Sequence, residues 1–398
     1  METTAIFADR ALTPFEEIVE PVVIVEGSKI AAIGRRGKLP APRGAREISA
    51  AGKTIVPGFV DVHIHGAGGH DVMEGEVRAL EIVAATVARH GTTSLVATTV
   101  TASEEQTCHS VAGIARFILR RRDSSPRAAS AEILGIHLEG PFISRTRRGV
   151  HPEQWIAAPS TALLSRIVAE ALGTALILTL APELPGALEL ITAARNAGLV
   201  VSLGHTDASY DQAQAAISAG ARHAAHVFNA MRPFSHRETG VLGAVLTSPE
   251  VSAELIADGV HVDAAAMQML FALKTPEHVI LVSDGTSATG MPDGQYQLGT
   301  FAVTVSGGVC RNTEGKLAGS TLTLDRALRN VVALGVPLPE ALRMVTTNPA
   351  RQLGLSARKG VLAPGADADL VLLDDNLDVS GVMTRGAGPY SVSPRNSR

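Results

Sequence analysis

Short apolar segments alternate with helix-length amphipathic segments through the middle of the chain. The apolar runs are rich in Val, Ile, Leu and Thr, whereas the longer segments repeat apolar residues every three or four positions. Alternation of this kind predicts a parallel β-sheet, and eight such units predict a (β/α)8 barrel. The predicted strands are residues 59–64, 93–99, 133–138, 176–180, 200–203, 223–228, 254–257 and 279–283, with predicted helices at 77–90, 104–121, 187–197, 211–219 and 264–273, a hairpin at 297–305 and closing helices at 324–334 and 339–345.

The two ends of the chain have a different pattern, in which short β-rich segments are separated by turn residues. Neither end is large enough to form a core of its own, so we expect the two to pair into one small β-sandwich domain. The predicted division gives residues 1–56 plus 357–398 to this domain and residues 57–356 to the barrel. From Gly386 to Arg398 the composition is rich in Gly, Pro, Ser and Arg, which predicts a poorly ordered tail.

The composition of the chain indicates which kinds of binding partner and which cellular compartment to expect. The net charge of −4 gives no general attraction to nucleic acid or to an anionic membrane, so we expect neither as a partner. The two cysteines, Cys108 and Cys310, are far apart and form no C-x-x-C motif, which fits a reducing environment. The first residues lack the basic-then-apolar layout of a signal peptide. These features predict a cytoplasmic protein.

The first predicted barrel strand carries the first candidate chemistry, at His63 and His65. Side chains two positions apart on a strand share a face, so both imidazoles point the same way at the carboxyl end of the strand. Two imidazoles presented together suit a divalent metal such as zinc or iron. From this motif alone, a pair of hydrogen-bonded structural histidines is an equally open interpretation.

Other predicted strands also end in polar residues, and a (β/α)8 barrel gathers its strand ends at one rim. A purely structural role for all of these residues would require each to end a strand by coincidence. A metal-dependent hydrolase site is the better interpretation. The residues are Glu139 after the third strand, His205 after the fifth, His226 on the sixth, Asp258 and His261 after the seventh and Asp284 after the eighth.

Seven motifs carry a family resemblance, and they occur in one order along nearly the whole chain. They are Gly-Phe-Val-Asp-Val-His-Ile-His-Gly, His-Leu-Glu-Gly-Pro, Gly-His-Thr, His-Val-Phe-Asn-Ala-Met, Asp-Gly-Val-His, Val-Ser-Asp-Gly and Leu-Ala-Gly-Ser. Together they closely resemble the N-acetylglucosamine-6-phosphate deacetylases of the amidohydrolase superfamily. The first motif indicates only an amidohydrolase, whereas the second and fourth are much more specific to the deacetylases.

The resemblance implies a metal centre with one or two divalent ions per subunit. Glu139, His205 and His226 would hold one ion, and His63 and His65 would hold a second with Glu139 bridging. Some members of the family lack the two histidines of the first strand and work with one ion, but this sequence keeps both. Zinc is the expected metal, and iron, manganese or cobalt can use the same ligands.

Glu139 distinguishes this family from other amidohydrolases. Dihydroorotases and hydantoinases, as families, bridge two metals with a carboxylated lysine, where this chain has the glutamate. His137 shares the strand face of Glu139 at a deeper level, and we expect it to be structural.

The activity implied by the resemblance is hydrolysis of the acetamide of N-acetyl-D-glucosamine 6-phosphate to D-glucosamine 6-phosphate and acetate. A metal-activated water would be the nucleophile. Asp284 would act as general base and then as general acid, taking a proton from the water and returning it to the departing nitrogen. The alternative role for Asp284 is that of a metal ligand only.

Substrate contacts are also implied by the resemblance. Arg237 matches the family position that contacts the phosphate, where a guanidinium offers several donors at a fixed charge. In the family this arginine reaches across from a partner subunit, so we expect a homodimer. For each contact residue the alternative is an ordinary rim or loop position. The remaining candidates are His151, Asn229, Ala230, His261, Leu317, Ala318 and Gly319.

Two other functions compete with this interpretation. One is another hydrolase of the same superfamily, such as a deacetylase of N-acetylgalactosamine 6-phosphate or a cyclic-amide hydrolase. Arg237 and His261 favour a phosphorylated small-molecule substrate, but they do not resolve the configuration of the sugar. The other is a non-enzymatic metal-binding or sugar-phosphate-binding protein, which would have no need of Asp284 as a proton carrier.

Overall fold

The computed structural model of the protein describes residues 2–122 and 129–391, and the elements below are those of this part of the chain. The strands are β1 (Thr3–Leu12), β2 (Glu17–Val19), β3 (Pro21–Glu26), β4 (Lys29–Arg35), β5 (Arg46–Pro57), β6 (Phe59–Ile64), β7 (Gly66–Ala67), β8 (His70–Asp71), β9 (Thr92–Thr99), β10 (Glu132–Glu139), β11 (Ala175–Leu180), β12 (Val200–Leu203), β13 (His223–Ala224), β14 (Ser252–Leu255), β15 (Val279–Leu281), β16 (Gly294–Leu298), β17 (Phe301–Ser306), β18 (Val309–Asn312), β19 (Leu370–Leu373), β20 (Val379–Thr384) and β21 (Ala387–Ser391). The helices are α1 (Val77–Ala88), α2 (Glu104–Arg121), α3 (Thr161–Glu170), α4 (Ala187–Asn196), α5 (Tyr210–Ala219), α6 (Gly240–Thr247), α7 (Ala264–Leu273), α8 (Leu324–Ala333), α9 (Leu338–Val345) and α10 (Thr347–Gln352).

Eight parallel strands form the predicted barrel. Their order is β15-β14-β13-β12-β11-β10-β9-β6, so neighbours in sequence are neighbours in space. The barrel closes at its carboxyl end, where the amide of His65 donates to the carbonyl of Gly285 at 2.8 Å and the amide of Asp284 donates to the carbonyl of His63 at 2.9 Å. The closing contacts therefore involve the same residues that the sequence assigns to the metal site.

Burial explains why these segments form barrel strands. All residues of β6 and of β9 are buried, as expected for strands covered on both faces. The helices pack their apolar faces on the outside of the barrel and share its core. The ends of α2 follow the usual residue preferences of helix termini. Ser103 caps its first turn, and Arg120 and Arg121 lie in its last turn, where the helix dipole favours cations.

Three helices and one strand differ from the predictions. α3, α6 and α10 were absent from the predicted elements. α6 has seven of its eight residues buried, so it lacks the polar face that reveals an amphipathic helix. The strand predicted at 223–228 ends at Ala224. Beyond it, His226, Phe228 and Ala230 have positive φ angles of 28°, 80° and 50°, which a strand cannot contain.

The terminal segments form one mixed sheet in the order β21-β20-β19-β5-β1-β3-β4, with β2 paired to β1. The sheet curls, because the amide of Ile30 donates to the carbonyl of Ala366 and the amide of Ala368 donates to the carbonyl of Ser28, both at 2.9 Å. These contacts bring the β3–β4 hairpin back to the start of β19 around a shared apolar core. The fold class, a barrel with a separate β-rich unit, is confirmed, and the domain boundaries remain a prediction.

The β-rich unit contains one long irregular strand and differs from the sequence prediction at its carboxyl end. β5 runs from Arg46 to Pro57, and within it Gly52 takes a φ of +71° beside a register shift against β1. The tail predicted from Gly386 is ordered as β21 up to Ser391, where Pro389 is tolerated because the strand lies at the sheet edge. Residues 392–398 of that predicted tail lie outside the described residues.

A buried lysine joins the barrel to the β-rich unit. Lys359 is 1% exposed, and its Nζ lies 2.6 Å from Glu132 at the first residue of β10. The same Nζ lies 2.9 Å from Asp367 and 2.7 Å from Asp369, which precede β19. Arg358 pairs with both Glu132 and Asp367. We call these five residues the interface cluster, and they fix the amino-terminal end of the barrel against the sheet.

The predicted hairpin at 297–305 is part of a three-stranded sheet of β16, β17 and β18. Its first turn is tied to the barrel rim, because the amide of Gly299 donates to Asp71 at 2.7 Å. Leu298 at the end of β16 lines the cavity described below. The insertion therefore forms one wall of the rim.

Candidate active site

Glu139, the last residue of β10, lies at the centre of a group of imidazoles and is 2% exposed. Five histidine Nε2 atoms point at its carboxylate from the ends of different strands or from the following loops. Its Oε1 is 3.0 Å from His226, 3.2 Å from His63 and 3.3 Å from His205, and its Oε2 is 3.3 Å from His151 and 3.5 Å from His65.

Asp284 completes this group at the end of the eighth strand. Its Oδ1 lies 3.1 Å from His65 Nε2 and 3.7 Å from His63 Nε2. The side chain is 8% exposed, and it lines the cavity that opens above Glu139. The predicted ligands and the predicted proton carrier are therefore within contact distance of one another. We call Glu139, Asp284 and the histidines around them the rim cluster.

Three of these residues have a backbone conformation that side chains other than glycine seldom adopt. The φ angles are 47° at His205, 28° at His226 and 48° at Asp284. Such conformations cost about 1–3 kcal/mol each and persist where the surrounding structure enforces them. Here each residue follows a short strand, and the left-handed turn directs its side chain over the barrel mouth.

The second ring nitrogen of each histidine determines what its Nε2 can do. Nδ1 of His65 faces the carbonyl oxygen of Thr98, and Nδ1 of His205 faces that of Arg147, both at 3.0 Å. A carbonyl only accepts, so Nδ1 carries a proton in both rings, and Nε2 presents a lone pair whenever the ring is neutral. His63 is held in the same way, because its Nδ1 donates to Glu254 at 2.8 Å.

His151 has the opposite arrangement. The backbone amide of Thr101 donates to its Nδ1 at 3.2 Å, so that nitrogen is the acceptor and the neutral ring carries its proton on Nε2. His151 therefore presents a hydrogen-bond donor where the metal-ligand candidates present lone pairs. This separates it from the ligand set although it is equally close to Glu139.

Both ring nitrogens of His137 are already occupied. Its Nδ1 donates to the carbonyl of Val62 at 3.2 Å, and its Nε2 lies 2.7 Å from the hydroxyl of Thr179. Burial lowers the pKa of His137 to about 3, so the ring is neutral. This geometry supports the expected structural role.

The rim cluster fits a divalent metal. Ligand atoms about 2.1 Å from a tetrahedral ion lie about 3.4 Å apart, and the separations of 3.0–3.7 Å within the cluster bracket that value. His63 Nε2 is buried and makes no hydrogen bond among the described residues, although Glu139 is close. Among the described residues, four groups of three ligand atoms are compact enough to share one ion each. Three lie in the rim cluster: His63 with Glu139 and His226, His63 with His65 and Asp284, and Glu139 with His151 and His205. The fourth is His63 with His137 and Glu254, none of which lines the cavity.

Electrostatics favour a cation at the same place. Burial alone would raise the pKa of Glu139, but the positive charge that His63 carries when both of its ring nitrogens are protonated, together with hydrogen bonds from neighbouring histidines, holds that pKa well below its usual value. For Asp284, burial is outweighed by the hydrogen bond from His65 and the charges of nearby histidines, so its pKa is also lowered. Burial is the main cause that lowers the pKa of His205 to about 4, which leaves its lone pair free at neutral pH.

A cavity of about 160 Å³ opens above the rim cluster, and it contains most of the predicted substrate contacts. Arg237 and Ala318 are the exceptions. Arg237 is exposed on the loop before α6 and does not line the cavity, and Ala318 is fully buried in the apolar cluster behind it. The predicted residues that do line the cavity are His151, Asn229, Ala230, His261, Leu317 and Gly319.

Two of these cavity residues are held by specific local contacts. His261 donates through Nδ1 to Asp258 at 2.7 Å, so its Nε2 is directed away from that carboxylate. Gly319 has a φ of +54°, and a Cβ there would lie 2.9 Å from the carbonyl oxygen of Asp284. A side chain at Gly319 would therefore press on the candidate proton carrier.

Two buried residues behind the rim were not predicted from the sequence: Glu254, which holds His63 from behind, and His223, which contacts Glu254 at 2.7 Å. A signal was present, because Glu254 is the single charged residue of an otherwise apolar predicted strand and a buried carboxylate needs partners. Gly149 and Val100 were also missed, and both line the cavity from loops after β10 and β9.

Comparisons with known proteins agree with this geometry. A curated relative from Bacillus subtilis, named N-acetylglucosamine-6-phosphate deacetylase, is 35% identical over 97% of each chain. A relative from Escherichia coli O157:H7, named N-acetylgalactosamine-6-phosphate deacetylase, is 39% identical over 87% of this chain and 90% of its own. A solved structure of a Mycobacterium smegmatis N-acetyl-D-glucosamine-6-phosphate deacetylase variant, in complex with N-acetyl-D-glucosamine 6-phosphate, superposes with a TM-score of 0.89. It is 38% identical and covers 97% of this chain and 99% of its own.

The family model described as the amidohydrolase family matches residues 54–387. That range includes every barrel strand and every residue of the rim cluster. Amidohydrolases generally depend on a divalent metal, and the buried His, Glu and Asp groups of this chain can bind one. By the match to its family model, its full-length deacetylase relatives and the geometry of its rim, this chain belongs to the amidohydrolase family.

Proposed function

We propose that the protein hydrolyses the acetamide of N-acetyl-D-glucosamine 6-phosphate to D-glucosamine 6-phosphate and acetate, with a divalent metal at the rim cluster. The convergence of Glu139, Asp284 and the histidine Nε2 atoms on one small cavity carries this proposal. The names of the relatives supply the substrate class.

We assign Glu139, His205 and His226 to one metal and His63 and His65 to a second, with Glu139 between them. Zinc suits this set of imidazole and carboxylate ligands, and iron, manganese and cobalt remain alternatives. Such an ion would supply Lewis acidity to the amide carbonyl and would make water a stronger nucleophile at neutral pH. The lone pairs on the Nε2 atoms of His63, His65 and His205 support the assignment.

The proton transfers are assigned to Asp284. Its lowered pKa keeps it ionised at neutral pH, so it can accept a proton from the attacking water. The same oxygen then returns the proton to the departing nitrogen, which leaves as an amine. Asp284 lines the cavity, and its contact with His65 holds the carboxylate in position for both steps.

His151 is assigned to the substrate and not to the metal. Its Nε2–H is directed toward the centre of the rim, where it can donate to the acetamide oxygen and orient the carbonyl. Asn229, the backbone of Ala230 and the segment Leu317 to Gly319 are assigned to the sugar. Each of these except Ala318 lines the cavity, and Ala318 would contribute only through its backbone.

The phosphate is assigned to Arg237 and His261. His261 lines the cavity, whereas Arg237 is exposed on a loop outside it. An arginine in that position can serve the site of a partner subunit, and the proposal therefore includes a homodimer.

None of the described helices has the length and hydropathy needed to cross a membrane.

The second candidate substrate is N-acetylgalactosamine 6-phosphate, favoured by the name of the Escherichia coli relative at 39% identity. The two sugars differ only in the configuration at C4, so the same metal and proton chemistry serves both. The distinction depends on which side of the cavity offers a partner to that hydroxyl group.

The test is acetate release on both epimeric sugar phosphates and on unphosphorylated N-acetylglucosamine, with metal content measured on the same sample. We expect the glucosamine derivative to be the preferred substrate and the unphosphorylated sugar to be poor. Comparable rates with and without phosphate would remove the roles of Arg237 and His261. Absence of acetate release from all three by metal-loaded protein would overturn the proposed function.

A further inference from the structure

Glu254 is a buried carboxylate that contacts two parts of the rim cluster without facing the cavity. It lies on β14 and is 0% exposed. Its Oε2 accepts from Nδ1 of His63 at 2.8 Å and from the backbone amide of His226 at 3.0 Å. Its Oε1 accepts from Nε2 of His223 at 2.7 Å. One side chain thus holds a residue from each of the two assigned metal sites.

The anchor of His63 differs in kind from those of its neighbours. His65 and His205 rest on neutral backbone carbonyls, whereas His63 rests on an ionised carboxylate. A buried carboxylate is costly unless its hydrogen bonds repay the loss of hydration. A backbone carbonyl would fix the ring of His63 equally well, so orientation of the ring does not by itself account for the buried charge of Glu254.

Glu254 is not itself placed to be a rim ligand. It faces Nδ1 of His63, on the opposite edge of the ring from the Nε2 that lies 3.2 Å from Glu139. It is also absent from the lining of the cavity, as are all its described contacts except His226. Its influence on the centre therefore passes through the imidazole of His63 and the backbone of His226.

We propose that Glu254 is a positioning residue that sets the metal affinity of the site formed by His63 and His65 and couples it to the site formed by Glu139, His205 and His226. This inference rests on the proposed metal centre. A carboxylate behind an imidazole fixes its tautomer and orientation and makes its free nitrogen more basic, which strengthens the bond to a metal.

The coupling follows from the shared oxygen. His226 has a positive φ of 28°, and the hydrogen bond from its amide to Glu254 Oε2 helps hold that conformation. The backbone of Glu254 acts in the same direction, because its carbonyl accepts from the amide of Val227 at 2.9 Å. Movement of the Glu254 carboxylate would therefore disturb His63 through its ring and His226 through its main chain.

The experiment compares wild type with Glu254→Gln, which keeps the shape of the side chain and removes its charge. Metal-free protein is titrated with Co²⁺ or Zn²⁺, with stoichiometry from elemental analysis and ligand geometry from the Co²⁺ absorption bands. We expect wild type to bind two ions and the variant to bind its second ion about 10- to 100-fold more weakly. The first ion should remain bound with a smaller loss of affinity.

The matched control is Asp325→Asn, which neutralises another buried carboxylate paired with a buried histidine. Asp325 lies 3.2 Å from Nδ1 of His90, and neither residue lines the cavity. If the loss of metal in Glu254→Gln came only from a damaged barrel, the control would show it too. We expect the control to bind two ions with wild-type affinity.

The outcomes separate this inference from the proposed function. Wild-type protein that binds no ion at the rim would overturn the metal centre and the inference with it, and a single ion would remove the site that Glu254 is proposed to set. If wild type binds two ions and Glu254→Gln binds its second ion with the same affinity as wild type, the role of Glu254 alone is overturned. Should that variant fail to fold, His223→Gln frees the other carboxylate oxygen. We expect it to weaken the second ion about tenfold, and an unchanged affinity would again reject the inference.

Discussion

Strand β10 carries a glutamate at each end, and the two have different surroundings. Glu132, its first residue, pairs with Lys359 and Arg358 in the interface cluster. Glu139, its last residue, is surrounded by histidine nitrogens in the rim cluster. Both carboxylates have a lowered pKa in spite of the burial that opposes ionisation. The same residue type on the same strand therefore meets two different kinds of partner.

The partners explain the difference in role. Lysine and arginine carry their charge permanently at neutral pH, so the interface cluster supplies its own cations. Imidazole can give up its proton and offer a lone pair, so the rim cluster can exchange protons for a metal. A buried carboxylate among fixed cations indicates a structural joint, whereas one among imidazoles with free Nε2 atoms indicates a binding centre.

The largest expected effect is in the rim cluster, for Asp284→Asn. The amide cannot accept and return a proton, so we expect kcat to fall by about 10²- to 10⁴-fold, the usual contribution of a general acid–base group. Metal content should stay at the wild-type level, because His63, His65, Glu139, His205 and His226 keep their ligand atoms. Acetate release and elemental analysis on one preparation measure both.

Retained turnover in Asp284→Asn would show that another group carries the proton. Loss of metal together with turnover would instead assign Asp284 to the ligand set, which is the alternative role considered for it. The comparison of kcat with metal content therefore distinguishes the two roles directly.

The corresponding change in the interface cluster is Lys359→Met, which should affect stability and leave chemistry intact. Removing one partner of a buried ion pair costs about 3–5 kcal/mol, because the remaining charges stay buried. Here Glu132, Asp367 and Asp369 would face one another with Arg358 and the half-exposed Lys29 as the nearby cations. Urea denaturation should show the loss in the free energy of unfolding, with unchanged kcat and metal content.

The control for that variant is Lys38→Met, at an exposed lysine. We expect a change of less than about 0.5 kcal/mol there, as for most surface substitutions. A similar loss in both variants would mean that the effect comes from the new methionine. No loss in Lys359→Met would remove the structural role of the interface cluster.

Arg237→Ala tests the positive charge that is proposed to bind the substrate phosphate and that lies outside the rim cluster. Hydrogen bonds to a charged group are worth about 1.5–3 kcal/mol, so we expect KM for the sugar phosphate to rise by about 10- to 100-fold. The rate with unphosphorylated N-acetylglucosamine should not change, since that sugar has no phosphate to lose. An unchanged KM would remove Arg237 from the site.

A mixture of subunits shows which chain supplies the arginine. In a heterodimer of Arg237→Ala with Asp284→Asn, the site that keeps Asp284 has the intact arginine only on its partner. Wild-type KM in that sample would support contribution across the interface. A raised KM would mean that Arg237 acts within its own chain.

The sequence was sufficient for features that depend on local pattern. The fully buried run of β6 and the capped, amphipathic α2 have the predicted bounds. Placing Glu139, His205 and Asp284 at one rim required only the rule that a barrel gathers its strand ends. The structure brings these residues together for the same reason.

Features that depend on tertiary closure were not predictable from pattern. The hydrogen bond between His63 and Glu254 spans 191 positions, and it exists because β6 and β14 are brought together by a closed barrel. The apolar segment after Ala224 has the composition of a strand, but His226 has a positive φ, and a hydrogen bond from its amide to Glu254 helps hold that conformation. The sequence signals that the buried Glu254 needs partners, but local propensity does not show which residues those partners are.

The smallest expected effect is a pH dependence confined to the interface cluster, measured on metal-free protein so that the rim does not contribute. Burial raises the pKa of Asp367, but the charge of Lys359 and hydrogen bonds from Lys29 and Lys359 outweigh it and bring that pKa to about 2 from the usual 3.8. A lowered carboxylate pKa stabilises the fold above the unfolded value, and this contribution is lost as the pH falls through the folded value.

Lys359→Met removes the main cause of that lowering, so wild type and variant should converge in acid. For Asp367 and Asp369 alike, loss of the lysine raises the pKa in the folded state, and protonation then relieves the uncompensated charge. We expect the difference in the free energy of unfolding to be largest near pH 7 and to shrink by about 2 kcal/mol between about pH 4 and about pH 2. Urea titrations of both proteins across this range measure the difference, and Lys38→Met should show none at any pH. A gap that stays constant down to about pH 2 would mean that Lys359 stabilises the joint by packing and not by its charge.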